Sequence, residues 1–184
     1  IVDIGAATTP QTESPVHTTL GLCLSKGDRF DWAIQKATEL GVGAVTPLYS
    51  ERVDFSIPPD RIEKRVAHWR QIAISACEQC GRVNIPAVSS PQPLEQWVQS
   101  VAAEHKWVLH CDDHGATRSG ASKEAPVDAA LLIGPEGGLT DQEVARACEN
   151  SFEVLQLGPR VLRTETAPVV ALSALSVMWG EMPG

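Results

Sequence analysis

Apolar and polar positions along this chain follow two alternating periods. Short, mostly apolar runs bounded by Gly, Pro or Asp read as strands at 16–24 (VHTTLGLCL), 44–49, 85–88, 107–111, 128–134 (DAALLIG) and 152–157. Between them, apolar residues recur at helical spacing. Trp32, Ala33, Ala37 and Leu40 mark a helix over 28–40, with Asp28 as its cap and Gly41 as its stop. The longest pattern opens at Pro58-Pro59-Asp60 and runs over 61–80, with Ile62, Val66, Trp69, Ile72, Ala73 and Ala76 inward and Gly81 closing it. Further helices are expected over 93–103, from the capping box Thr140-Asp141-Gln142-Glu143 to about Asn150, and over 166–179. Strands alternating with helices predict an α/β domain with a mainly parallel sheet flanked by helices. The run at 128–134 is apolar almost throughout, as a central strand covered on both faces would be.

Residues 6–15 break the pattern. This tract is rich in Thr, Pro and Ser and reads as a linker, so residues 1–16 are expected to be the remnant of a connection to an upstream unit, and 17–184 the main domain. Residues 112–126 are polar and contain glycine, as a loop would. No stretch approaches the roughly 20 apolar residues of a membrane span, and a cytoplasmic protein is expected. Five cysteines, at 23, 77, 80, 111 and 148, are scattered through expected helices and strands and read as reduced thiols. Cys77-Glu78-Gln79-Cys80 has the spacing of a metal or redox half-site but no second pair accompanies it. The formal net charge of −8 argues against bulk electrostatic capture of nucleic acid.

The candidate chemistry lies in two glycine-proline loops. Gly134-Pro135-Glu136-Gly137-Gly138 joins the expected central strand to a capped helix, and Leu157-Gly158-Pro159-Arg160-Val161-Leu162-Arg163 follows the next strand. Such loops at carboxyl strand ends are where open α/β sheets bind ligands, with backbone groups and a helix N-terminus facing the guest. A tight turn is the plainer alternative. Neither loop matches the phosphate-loop or dinucleotide fingerprints.

The segments LLIGPEGGLT (131–140), LGPRVLRTETA (157–167), IQKATELGV (34–42) and ACEQCGR (76–82) together resemble the 16S ribosomal RNA uracil-N3 methyltransferases of the SPOUT class. The resemblance covers roughly residues 17–180. It implies a SPOUT-type fold with a C-terminal trefoil knot, a homodimer, an N-terminal PUA-like barrel, and methylation of uracil N3 in the RNA of the small ribosomal subunit with S-adenosylmethionine and no metal. Carried over by position, Leu109 and His110 would form a first cofactor loop. Ile133, Gly134, Pro135, Glu136, Gly137 and Gly138 would form a second, and Leu157, Gly158, Val161 and Leu162 a third, with Thr166 near the methionine end. A ribose 2′-O-methyltransferase of the same superfamily and a noncatalytic RNA-binding or ribosome-assembly module are the alternatives.

Uracil N3 carries a proton, so a base or a stabiliser of the anion is required. Arg163 is the candidate for the uracil carbonyls or a phosphate, against a plain salt bridge with Glu165 or Glu136. Glu165 and Glu136 are candidate bases, against ordinary service at a helix start. Arg82 matches an arginine of the family segment, which implies a substrate-facing role, one that could lie across the dimer, although Val83-Asn84 depart from the basic residue often found just after it.

Overall fold

The structure, a computed structural model, describes residue 5, residues 11–110 and residues 125–182. Most of the loop expected over 112–126, with Cys111 and His114, lies outside the described residues. Among the described residues, seven strands form one sheet: β1 (His17–Cys23), β2 (Ala44–Tyr49), β3 (Ala87–Val88), β4 (Gln92–Pro93), β5 (His105–Leu109), β6 (Asp128–Ile133) and β7 (Glu153–Leu155). Their order is β3-β2-β1-β6-β5-β7, with β4 also on β2, and every pairing is parallel. The helices are α1 (Arg29–Glu39), α2 (Pro59–Cys80), α3 (Leu94–Ser100), α4 (Asp141–Glu149) and α5 (Thr166–Met178). No helix among the described residues is long and apolar enough to cross a membrane.

Side chains of β6 alternate between two cores, as a strand with a period of two must. Ala129, Leu131 and Ile133 join Phe30, Trp69 and Leu172 on the face covered by α1, α2 and α5, while Ala130 and Leu132 join Trp97, Val98 and Phe152 under α3 and α4. Burying each such leucine contributes about 1.5–3 kcal/mol. Gly21 follows from the second face, because a Cβ there would lie 2.6 Å from the Trp97 ring.

Local signals in the chain account for most element ends. Pro59 begins α2, and Gly81, at φ 82°, ends it in the left-handed conformation. Thr140 and Glu143 form the expected reciprocal box at α4. Asp28 does stand at the start of α1, but its side chain makes no capping bond. The strand expected over 85–88 pairs only at Ala87 and Val88, and β4 follows at Gln92–Pro93, a strand the two-proline sequence concealed. The break between β3 and β4 falls opposite Thr46 and Pro47, where Pro47 has no N–H to contribute.

The linker-like tract adopts no helix or strand over residues 11–16, yet it is anchored. Thr12 donates to the Gly81 carbonyl, Ser14 donates to Glu181, and Glu13 accepts from Arg82 and from the amides of Val83 and Asn84.

Candidate active site

Pairing register sets the site. Leu109 of β5 is level with Ile133 of β6 on one side and Leu155 of β7 on the other, so three strands end together and their loops leave the same edge. Leu22 of β1 is level with Ile133 as well. The order of strands changes direction between β1 and β6, the position at which open α/β sheets leave a crevice.

A cleft of about 570 Å³ occupies that edge. Leu109 and His110 come from the first loop, Ile133 through Leu139 from the second, and Leu155, Leu157, Arg160 through Glu165 and Ala167 from the third. Thr164, buried, donates from Oγ1 to the Gly134 carbonyl at 2.7 Å and ties the third loop to the second. Gly134 is required by close approach: a Cβ would stand 2.9 Å from Leu139 Cγ and 3.0 Å from its backbone nitrogen. Gly138 and Gly158 turn the chain at φ 71° and 101°, where other residues are strained. Gly158 and Thr166 adjoin the lining without forming part of it.

Two arginines that the sequence pattern did not single out hold the second loop from the opposite side. Arg29, at the start of α1, pairs with Glu136 at 2.7 Å, and the Lys26 amide donates to the same oxygen at 3.2 Å. Burial pushes the Glu136 carboxyl up, but its own backbone amide, Arg29 and the Lys26 amide together bring it below the ordinary value. Arg52, from the β2–α2 connection, donates to the Gly137 carbonyl at 2.6 Å. Both line the cleft. Their remoteness in sequence from the glycine loops left no local signal; only the pairing of β1 with β2 and β6 brings them there.

The Arg163 side chain lines the cleft with no hydrogen bond or ion pair among the described residues, and the carboxylates weighed as its alternative partners, Glu136 and Glu165, face Arg29 instead. Glu165 Oε1 lies 4.0 Å from Arg29 Nε. Its Oε2 is shielded from water and has no partner among the described residues. An acceptor left in that state costs about 1–3 kcal/mol.

Arg82 is not brought to the cleft. Its side chain is 5% exposed, and the guanidinium donates to Glu13 and to the carbonyls of Thr38 and Val42. There it clamps the segment before β1 to the ends of α1 and α2. Cys77 and Cys80 hydrogen-bond to the carbonyls of Asn84 and Cys77, respectively, and burial pushes the Cys77 thiol up. Burial likewise raises Cys23 in the core to about 12.

Residues 12–176 match the RNA methyltransferase domain family. The chain belongs to that family. It is 35% identical over 170 residues to the ribosomal RNA small subunit methyltransferase E of Buchnera aphidicola, with 92% of this chain aligned to 69% of that protein. Among solved structures, a methyltransferase from Legionella pneumophila in complex with S-adenosylmethionine aligns with a TM-score of 0.83 at 42% identity, over 90% of this chain and 67% of that one. The ribosomal RNA small subunit methyltransferase E of Neisseria gonorrhoeae, bound to S-adenosylmethionine, aligns at 0.84 and 39%, over 94% and 70%. The glycine loops are thus those of an RNA methyltransferase, on the parallel α/β fold that the hydrophobic pattern predicts.

Proposed function

We propose that this chain methylates N3 of an unpaired uracil in 16S ribosomal RNA, with S-adenosylmethionine as donor. The observation that carries the reading is the three-loop cleft, in a chain 39% and 42% identical to two proteins solved with that donor. The residues present suit such a guest: apolar walls at Leu109, Ile133, Leu157 and Leu162, and a glycine-lined backbone at 134–138 that a single Cβ would obstruct. Backbone groups of 109–110, 133–138 and 157–162 would hold adenosine, with Val161 at the rim and Thr166 near the amino-acid end. When bound, the donor supplies an electrophilic methyl carbon on a sulfonium.

The chain's own task is to align the base and to make N3 nucleophilic. Arg163, whose side chain has no partner among the described residues, donates to the uracil carbonyls as negative charge develops on them, or to the neighbouring phosphate. Glu165 takes the N3 proton. Glu136 is the weaker candidate because Arg29 and the Lys26 amide already occupy it. Arg82 serves the reaction only by holding the segment before β1.

The remaining parts of this reading concern the whole protein. A PUA-like domain upstream of residue 17 would add RNA contacts to those made at the cleft of this acidic chain, and the protein would work in the cytoplasm. A homodimer through α5 is supported by that helix's apolar character and by Val177 and Met178, 44% and 39% exposed on it. A knotted path is supported by the passage from β6 past β5 to β7 and by the Thr164–Gly134 tie. Nucleoside mass spectrometry of small-subunit RNA treated with the protein and the donor tests the activity. We expect 3-methyluridine; a 2′-O-methyl product, or donor binding with no transfer, would overturn the assignment. Light scattering that found only monomer would overturn the dimer.

A further inference from the structure

We propose that Glu165, positioned by Arg29, is the residue that admits uracil and rejects cytosine. The inference rests on the methyltransferase reading above and adds to it how the base is chosen. The two pyrimidines differ at the atom to be methylated: uracil N3 bears a hydrogen and is a donor, whereas cytosine N3 bears a lone pair and is an acceptor. A carboxylate only accepts. Facing N3, it bonds uracil and opposes cytosine, and a site that hydrogen-bonds one partner excludes the mismatched one far better than shape alone can.

Three observations select Glu165 for this part. It lines the cleft beside Arg163, its Oε2 is closed from water, and that oxygen has no partner among the described residues. The second carboxylate of the cleft, Glu136, already accepts from Arg29 at 2.7 Å and from the Lys26 amide at 3.2 Å. Arg29 reaches both carboxylates, with Nε 4.0 Å from Glu165 Oε1. It holds Glu165 Oε1 by charge, and a turn of the Glu165 side chain would bring the closed Oε2 to the base. Arg29 is therefore a positioning residue, acting on the base only through Glu165.

The test compares affinities, so it does not depend on turnover. A labelled RNA hairpin with one unpaired uridine, and the same hairpin with cytidine, are titrated by fluorescence anisotropy against the full chain saturated with S-adenosylhomocysteine. Affinity for that cofactor product is measured separately by calorimetry. Wild type is expected to prefer uridine by about tenfold or more. Glu165→Gln, whose amide can also donate, is expected to bring the ratio within about twofold of unity while changing cofactor-product affinity less than about twofold. Glu165→Asp keeps an acceptor and should keep the preference for uridine. Arg29→Gln should reduce the preference, and Arg29→Lys should restore it.

An unchanged uridine preference in Glu165→Gln overturns the proposal. If that variant also binds the cofactor product tenfold more weakly, Oε2 serves the donor's ammonium instead. Arg29→Gln with the wild-type ratio removes Arg29 from the device. A wild type that binds the cofactor product yet shows no preference overturns this proposal alone, whereas one that binds no cofactor product overturns the methyltransferase reading with it.

Discussion

At the scale of single residues, the site depends on backbone positions that tolerate no added atom. In Gly134→Ala the new methyl would meet the Leu139 backbone nitrogen at 3.0 Å, which is not the movable end of a side chain, so the loop itself must shift. A loss of about 1–3 kcal/mol of stability is expected from such overpacking. Affinity for S-adenosylhomocysteine should fall at least about tenfold by calorimetry, since small displacements in a positioning loop carry large penalties. Arg82→Ala should behave oppositely, losing about 2–3 kcal/mol in urea denaturation while the folded protein keeps its cofactor affinity. This variant also carries a pH signature. Burial raises the Glu13 carboxyl, but Arg82 and the amides of Asn84 and Val83 bring it net below its ordinary 4.5. A carboxyl lowered in the folded state contributes stability that is present above the unfolded value and lost as pH falls through the folded one. The gap between wild type and Arg82→Ala should therefore narrow below pH 4.5 and stay constant above it. The glycines of 134–138 were legible because they interrupt an apolar strand and precede a capping box. Arg29, Arg52 and the clamp of Arg82 on Glu13 were not, because each acts on a residue distant in sequence.

At the scale of elements, the chain signals its own boundaries wherever a terminus is satisfied locally. Thr140 accepts from the Glu143 amide, and Glu143 returns a bond to the Thr140 amide while also accepting from the Glu51 amide. Thr140→Ala should cost about 1 kcal/mol in urea denaturation. A loss below a few tenths would show that packing of α4, rather than its cap, holds its first turn. The same locality explains the accurate limits of α2, where Pro59 and Gly81 act within one residue of the ends. Strand limits were less legible. β3 and β7 are shorter than their apolar runs because pairing needs a neighbour, and the run itself does not say how far that neighbour extends. β4 carries Pro93 and almost no apolar signal, so only its partner on β2 defines it.

At the scale of the whole molecule, strand order was beyond any local reading. Periodicity foresaw alternating strands and helices, but it could not place β6 between β1 and β5, and that placement is what brings Arg29, Arg52 and Arg163 to one cleft. The same arrangement bears on how an acidic chain meets RNA. A net charge of −8 repels polyphosphate at long range, and the arginines at the cleft, of which Arg52, Arg160 and Arg163 are exposed, are the groups placed to attract it locally. Each phosphate neutralised on a single strand contributes about 0.7 to the slope of log affinity against log salt, so three contacts predict a slope of about −2 for this chain. Arg163→Ala and Arg160→Ala should each flatten that slope by about 0.7 if both contact phosphate. If Arg163 instead donates to the uracil carbonyls, its removal should weaken uridine binding while leaving the slope unchanged. Anisotropy titrations across a salt series separate the two outcomes. A slope steeper than about −4 would require a basic surface beyond these arginines.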